Sequence, residues 1–204
     1  MSKVTYNSRF SRYKSYAKNL YYHIYNRGNG KQDIFLNKED YLFYIDRLEK
    51  AIKKHKVKLI CYVLMPNHIH LVAKQQTDVP IYRFISSLHT SYSMYFNKKH
   101  QRVGHVFQDR FKQVIIENDN QLLYLTKYIH RNPVAAGIVN TITDYPWSSF
   151  HEYTKITAWM FCDKDIIVGL LGSLPENFSL AYSTFCMQGI TEKEKLHLQE
   201  SLLE

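Results

Sequence analysis

Between Val57 and Lys74 the chain reads VKLICYVLMPNHIHLVAK, two β-rich apolar runs separated by Met65-Pro66-Asn67. Proline pre-sets its own φ and asparagine tolerates turn geometry, so this spacing predicts a tight strand–turn–strand hairpin. Successive side chains on a strand point to opposite faces. His68 and His70 therefore share one face, and Ile69 and Leu71 share the other. Two imidazoles placed this way can hold one divalent cation. In a chain with 10 histidines a His-x-His pair also arises by chance, so the pair needs support from elsewhere.

The flanking segments supply a fold. A strand is expected from about Leu20 to Asn26, ending in the turn Arg27-Gly28-Asn29-Gly30. Asn37, with Asp40 three residues on, caps a helix whose apolar positions Tyr41, Tyr44, Ile45, Leu48 and Ile52 keep helical spacing to about Lys54. After the hairpin a second helix runs from about Pro80 to Lys98, on the stripe Ile81, Phe84, Ile85, Leu88, Tyr92 and Tyr95. A loop from Gly104 leads into a fourth strand near Phe111–Ile116. The order β-α-β-β-α-β is the ferredoxin-like arrangement, an α+β fold with an antiparallel sheet and two helices on one face. The two histidines would then lie on the open face.

A third helix starts at Asn118, with Gln121 in capping-box position, and Pro133 is expected to stop it at Asn132. On it Tyr124, Tyr128 and Asn132 form one stripe at i, i+4 and i+8. Beyond Gly137, YPWSSF (Tyr145–Phe150) makes an aromatic turn of docking character. Helical runs follow at Asp163–Leu171, Pro175–Met187 and Thr191–Leu203. Residues 1–153 are thus expected to form one domain, with 1–18 a basic arm, and 154–204 a helical extension too short to bury much core alone.

Charge narrows the partner. Lys and Arg number 27 against 18 acidic residues, a net charge of +9 and a pI near 9.3, which favours a polyanion. The 17 tyrosines mixed among these cations suit unpaired nucleic acid, where bases stack on rings and cations follow phosphates. No apolar run approaches the roughly 20 residues of a membrane span. The polar, basic start lacks a secretory leader pattern, and Cys61, Cys162 and Cys186 are scattered, so a cytoplasmic protein with reduced thiols is expected.

Taken together, LMPNHIHLV, GHVFQDRFK, YLTKYIHRNPVAAGIV and YPWSSF, in this order over residues 20–153, resemble the single-tyrosine HUH (histidine–hydrophobic–histidine) transposases. The chain looks most like their REP-associated branch. The resemblance implies cleavage of single-stranded DNA by tyrosine attack, leaving a 5′-phosphotyrosine. It puts the nucleophile at Tyr128 and the metal ligands at His68, His70 and Asn132. The chemistry is consistent: phenol is a weak nucleophile at neutral pH, and a nearby cation would neutralise the phosphate. Two imidazoles and an amide leave open positions suited to Mg²⁺ or Mn²⁺. Tyr124 is the rival nucleophile, but only Tyr128 has an amide one turn on.

Arg9 and Arg12 of the arm, with Arg110, Lys112 and Arg131, are candidate phosphate contacts, and His130 is expected to orient or contact DNA. The expected partner is single-stranded DNA flanking a hairpin, bound by a monomer or homodimer. Two other classes remain open. One is a ferredoxin-like module that binds single strands without chemistry. The other is a hydrolase using a metal-bound water. Only the transposase reading forms a covalent protein–DNA adduct.

Overall fold

Strand Val57–Met65 is buried at eight of its nine positions, so both faces of the sheet are covered where it runs. The structure, a computed structural model, describes residues 17–154 and 160–198. The basic arm with Arg9 and Arg12, and the end of the last expected helix, lie outside those residues. In chain order the elements are β1 (Tyr21–Arg27), α1 (Lys38–His55), β2 (Val57–Met65), β3 (His68–Gln75), α2 (Tyr82–Lys99), β4 (Lys112–Ile116) and α3 (Asp119–Ala135). The short helices α4 (Phe150–Tyr153), α5 (Asp165–Leu171), α6 (Phe178–Met187) and α7 (Glu192–Leu198) follow.

The sheet order is β2-β3-β1-β4, antiparallel throughout, as the ferredoxin-like reading requires. β2 and β3 form the hairpin, with Met65 opposite His68. Tyr22, Ile24, Leu59, Tyr62, Leu64, Ile69, Leu71 and Ala73 face α1 and α2 and form the first core with their apolar stripes. At α1 the capping box is complete: Asn37 Oδ1 accepts from Asp40 N–H, and the Asp40 carboxylate accepts from Asn37 N–H, each at 3.3 Å. Asp40 also meets Lys99 Nζ at 2.9 Å and His100 Nε2 at 3.0 Å, which ties the start of α1 to the end of α2.

The other face is not open. A register shift between Leu59 and Cys61 puts Ile60 and Cys61 on the same side as Val63, Met65 and Val72. That apolar half seats Leu122, Leu125 and Ile129 of α3, and α5, α6 and α7 pack against α3 in turn. The edge of β2 is covered as well. Trp147 C=O accepts from Leu64 N–H at 2.9 Å, Tyr62 C=O from Ser149 N–H at 3.0 Å, and Leu59 C=O from Asp163 N–H at 2.7 Å. Trp147 stacks on Tyr41 at 4.4 Å, so YPWSSF docks on the sheet edge and on α1.

α3 continues through Pro133 to Ala135, not stopping at Asn132 as expected. Pro133 removes only the amide hydrogen that would reach Ile129, and the last turn is closed by Ala136 N–H to Asn132 C=O at 2.9 Å. Its start is capped by Asn118 Oδ1, which accepts from Gln121 N–H at 2.9 Å. Gln121 Oε1 accepts from Glu117 N–H at 2.6 Å, one residue earlier than a capping box would have it.

Candidate active site

β1 and β3 set the site by register. Tyr25 lies opposite His70 and Arg27 opposite His68, so all four side chains rise from one face. The His68 and His70 rings are 5.1 Å apart and perpendicular. Above them, the Tyr128 ring of α3 stands 6.2 Å from His70, also edge-on. Tyr124, one turn earlier, is turned instead towards α7, with its ring 5.4 Å from His197. Asn132 lies one turn beyond Tyr128 on the same helix and is buried.

Both imidazoles are held at Nδ1. His68 Nδ1 is 2.7 Å from Asn67 Oδ1, and Asn67 Nδ2 donates to Lys31 C=O at 3.3 Å. The second bond identifies the amide oxygen, which only accepts, so His68 carries its proton on Nδ1 and presents a lone pair at Nε2. His70 Nδ1 is 2.9 Å from His23 Nε2, and the two ring planes differ by 17°. Tyr25 lies 4.9 Å from the His23 ring and 5.9 Å from that of His70. Burial holds His70 well below the ordinary imidazole range, helped by His23, His68 and Arg27, so it is neutral at physiological pH.

Two imidazoles on one face, with an amide one turn beyond Tyr128, are donor types that would suit a divalent ion drawing the rest of its shell from substrate and water. Neutral imidazoles are good ligands, and an amide oxygen suits a hard cation. Among the described residues no group of three or more His, Cys, Asp or Glu side chains is placed to hold a metal ion.

The basic residues divide. Arg110 and Lys112 are exposed and, with Tyr25, Arg27 and Lys31, line a cavity of about 480 Å³ beside the histidines. Lys112 Nζ is 5.7 Å from the Tyr25 ring centroid. His130 corrects the sequence reading. It is fully buried, bonded through Nδ1 to Tyr182 Oη and through Nε2 to Ser149 Oγ, both at 2.7 Å, and cannot meet DNA. Arg131 is also redirected: its Nη1 donates to Cys186 C=O at 2.7 Å and Met187 C=O at 3.0 Å, capping α6. These two residues sit on the side of α3 that faces the tail, which helical spacing could have suggested only with the tail's position known.

Sequence reasoning passed over His23, Tyr25, Arg27 and Lys31. For the first three the signal was the alternation of YYHIYNR, which puts His23, Tyr25 and Arg27 on one face. It became a site signal only once β1 was paired with β3. Among the described residues no helix is long and apolar enough to cross a membrane.

Comparison with known proteins supplies the family. The family described as IS200-like transposases matches residues 16–132, more than half of the chain. A Haemophilus influenzae protein assigned as a REP-associated tyrosine transposase is 30% identical over 126 residues, covering 55% of this chain and 72% of the relative. A solved REP-associated tyrosine transposase bound to a REP hairpin shares the fold at 19% identity, with a TM-score of 0.55 over 80% of this chain and 98% of the other. The family match begins just before β1 and ends on Asn132, so it takes in the whole sheet and the helix over the histidines: this chain belongs to the IS200-like transposase family, with a REP-associated tyrosine transposase among its relatives.

Proposed function

We propose that this transposase cleaves and rejoins single-stranded DNA with Tyr128 as the nucleophile, assisted by Mg²⁺ or Mn²⁺ at His68, His70 and Asn132. The observation that carries the reading is the Tyr128 ring, edge-on at 6.2 Å from His70 while Tyr124 is turned away. In the reaction the Tyr128 oxygen attacks phosphorus and the bond from phosphorus to the 3′-oxygen breaks. The phenolic proton leaves to solvent, and the departing 3′-oxygen takes one up. A 5′-phosphotyrosine and a free 3′-hydroxyl result, and attack by another strand's 3′-hydroxyl reverses the step and joins DNA. A divalent cation would supply positive charge against a non-bridging phosphate oxygen during displacement.

The chain's own residues supply position. α3 rests on the apolar half of the sheet face, so Tyr128 is carried by a packed helix and not by a loop. Arg27, Lys31, Arg110 and Lys112 line one cavity with Tyr25 and offer phosphate contacts there. A hairpin with single-stranded flanks is the proposed substrate, supported by the basic, tyrosine-rich composition and by the hairpin-bound relative. A fully paired duplex of the same sequence should bind more weakly at matched salt.

The test is adduct formation on a labelled hairpin oligonucleotide with single-stranded flanks, with Mn²⁺ and with chelator. Wild type should form a denaturation-resistant adduct only with the ion. Tyr128→Phe should give none while still binding the oligonucleotide, and His68→Ala should give none at any Mn²⁺ concentration. An adduct from Tyr128→Phe would move the nucleophile elsewhere. Tight binding with no adduct from wild type would leave a binding module.

A further inference from the structure

We propose that His23 is a positioning residue that holds His70 in the tautomer able to bind a cation. The inference rests on the reading of His70 as a metal ligand. His23 follows the same face of β1 as Tyr25, and because Val72 is its direct partner on β3, it meets His70 diagonally. Both side chains are buried, and their nitrogens, Nε2 of His23 and Nδ1 of His70, are 2.9 Å apart.

A neutral imidazole has one donor and one acceptor nitrogen. Across this bond one proton is shared in one of two ways. If it belongs to His23 Nε2, then His70 accepts at Nδ1, keeps its own proton on Nε2, and has no lone pair to give an ion. If it belongs to His70 Nδ1, then His23 accepts, and His70 Nε2 carries the lone pair. Only the second arrangement makes His70 a ligand. It also makes His70 a better one, because a donated Nδ1 proton raises the basicity of the other nitrogen.

His68 shows what the alternative would look like. Its Nδ1 meets an amide oxygen, which can only accept, so its tautomer admits no choice. His70 has a partner that can act either way, and its ligand state depends on His23 keeping its own proton on Nδ1. The two imidazoles are thus held by unlike partners, one from the turn between the hairpin strands and one from the neighbouring strand.

Long-range ¹H–¹⁵N spectra of the metal-free protein test this directly, since the ring nitrogens of the two tautomers resonate far apart. Wild-type His70 should carry its proton on Nδ1. In His23→Phe, which fills the slot without an acceptor, the Nε2–H form should appear and Mn²⁺ should bind about tenfold more weakly or worse. His23→Gln restores an acceptor and should recover most of both readouts, which a packing role would not predict. A wild-type His70 protonated on Nε2, with and without Mg²⁺, overturns the proposal. So does unchanged Mn²⁺ affinity in a folded His23→Phe. If that variant does not fold, the wild-type and His23→Gln spectra still decide. Unaltered Mn²⁺ affinity in His68→Ala would instead defeat the metal reading itself, and the His70 tautomer would still report on His23 separately.

Discussion

The same strands present different chemistry to the two sides of the sheet. Towards α1 and α2, β1 and β3 offer Tyr22, Ile24, Ile69, Leu71 and Ala73, all in one apolar core. Towards α3 they offer His23, Tyr25, His68 and His70, while β2 beside them offers Ile60, Cys61, Val63 and Met65. The first side does one thing, which is to bury area. The second is split: its apolar half seats the helix, and its imidazole half faces the ring that the helix carries. On the proposed function, chemistry is placed here by docking a helix over half a face, and the same contacts that stabilise α3 would also aim Tyr128.

That division can be broken first by asking whether one chain supplies both halves. α3 is held by its own tail: Lys127 Nζ meets Glu194 Oε1 at 2.9 Å, Arg131 caps α6, and His130 binds Tyr182. Tyr128 should therefore act on the histidines of its own chain. An equal mixture of His68→Ala and Tyr128→Phe, each inactive alone, should remain fully inactive in adduct formation. Recovery of a sizeable part of wild-type activity would mean that helices are exchanged between copies.

The tail's hold gives the next effect. Lys127 is almost fully buried beside Phe185, and its partner Glu194 is buried too. Lys127→Ala leaves that carboxylate without its cation, and urea unfolding should show a loss of about 3–5 kcal/mol. Replacing both, as Lys127→Met with Glu194→Leu, should recover most of it. A single-variant loss below about 1 kcal/mol would mean that solvent relieves the charge and the clamp is weak.

On the opposite side, Leu71→Ala removes only packing. It should lower stability by about 2–5 kcal/mol, while adduct yield per folded molecule stays at the wild-type level. Loss of cleavage in the folded variant would show that the two sides are not separable.

Acid sharpens the comparison, because each side also buries a neutral histidine. Burial depresses His89, on α2, and His130, on α3, to about 3. Each takes up a proton near 6.5 when unfolded and much lower when folded, so stability is complete above about pH 6.5 and falls as pH drops towards 3. The slope is about 1.4 kcal/mol per pH unit for each residue. Denaturation at pH 7 and pH 5 should show His130→Gln with a shallower loss than wild type. An identical slope would place the acid sensitivity elsewhere.

Local rules were enough to read much of this protein. The hairpin around Pro66 and Asn67, the shared face of His68 and His70, the caps at Asn37 and Asn118, and the single turn between Tyr128 and Asn132 follow from periods of two and 3.6 residues and from turn chemistry. Those rules act within one element, where neighbours in sequence are neighbours in space. What they could not supply was which element meets which. His23 and Tyr25 join the histidine pair only through the β1–β3 register, and Tyr124, which the sequence set apart from Tyr128 only by its lack of an amide one turn on, is turned towards α7. His130 and Arg131 turn inward only because the tail packs on their side of α3, and the helix passes Pro133 because its last turn is closed from beyond. Most of these outcomes depend on packing between segments tens of residues apart, which no local periodicity encodes.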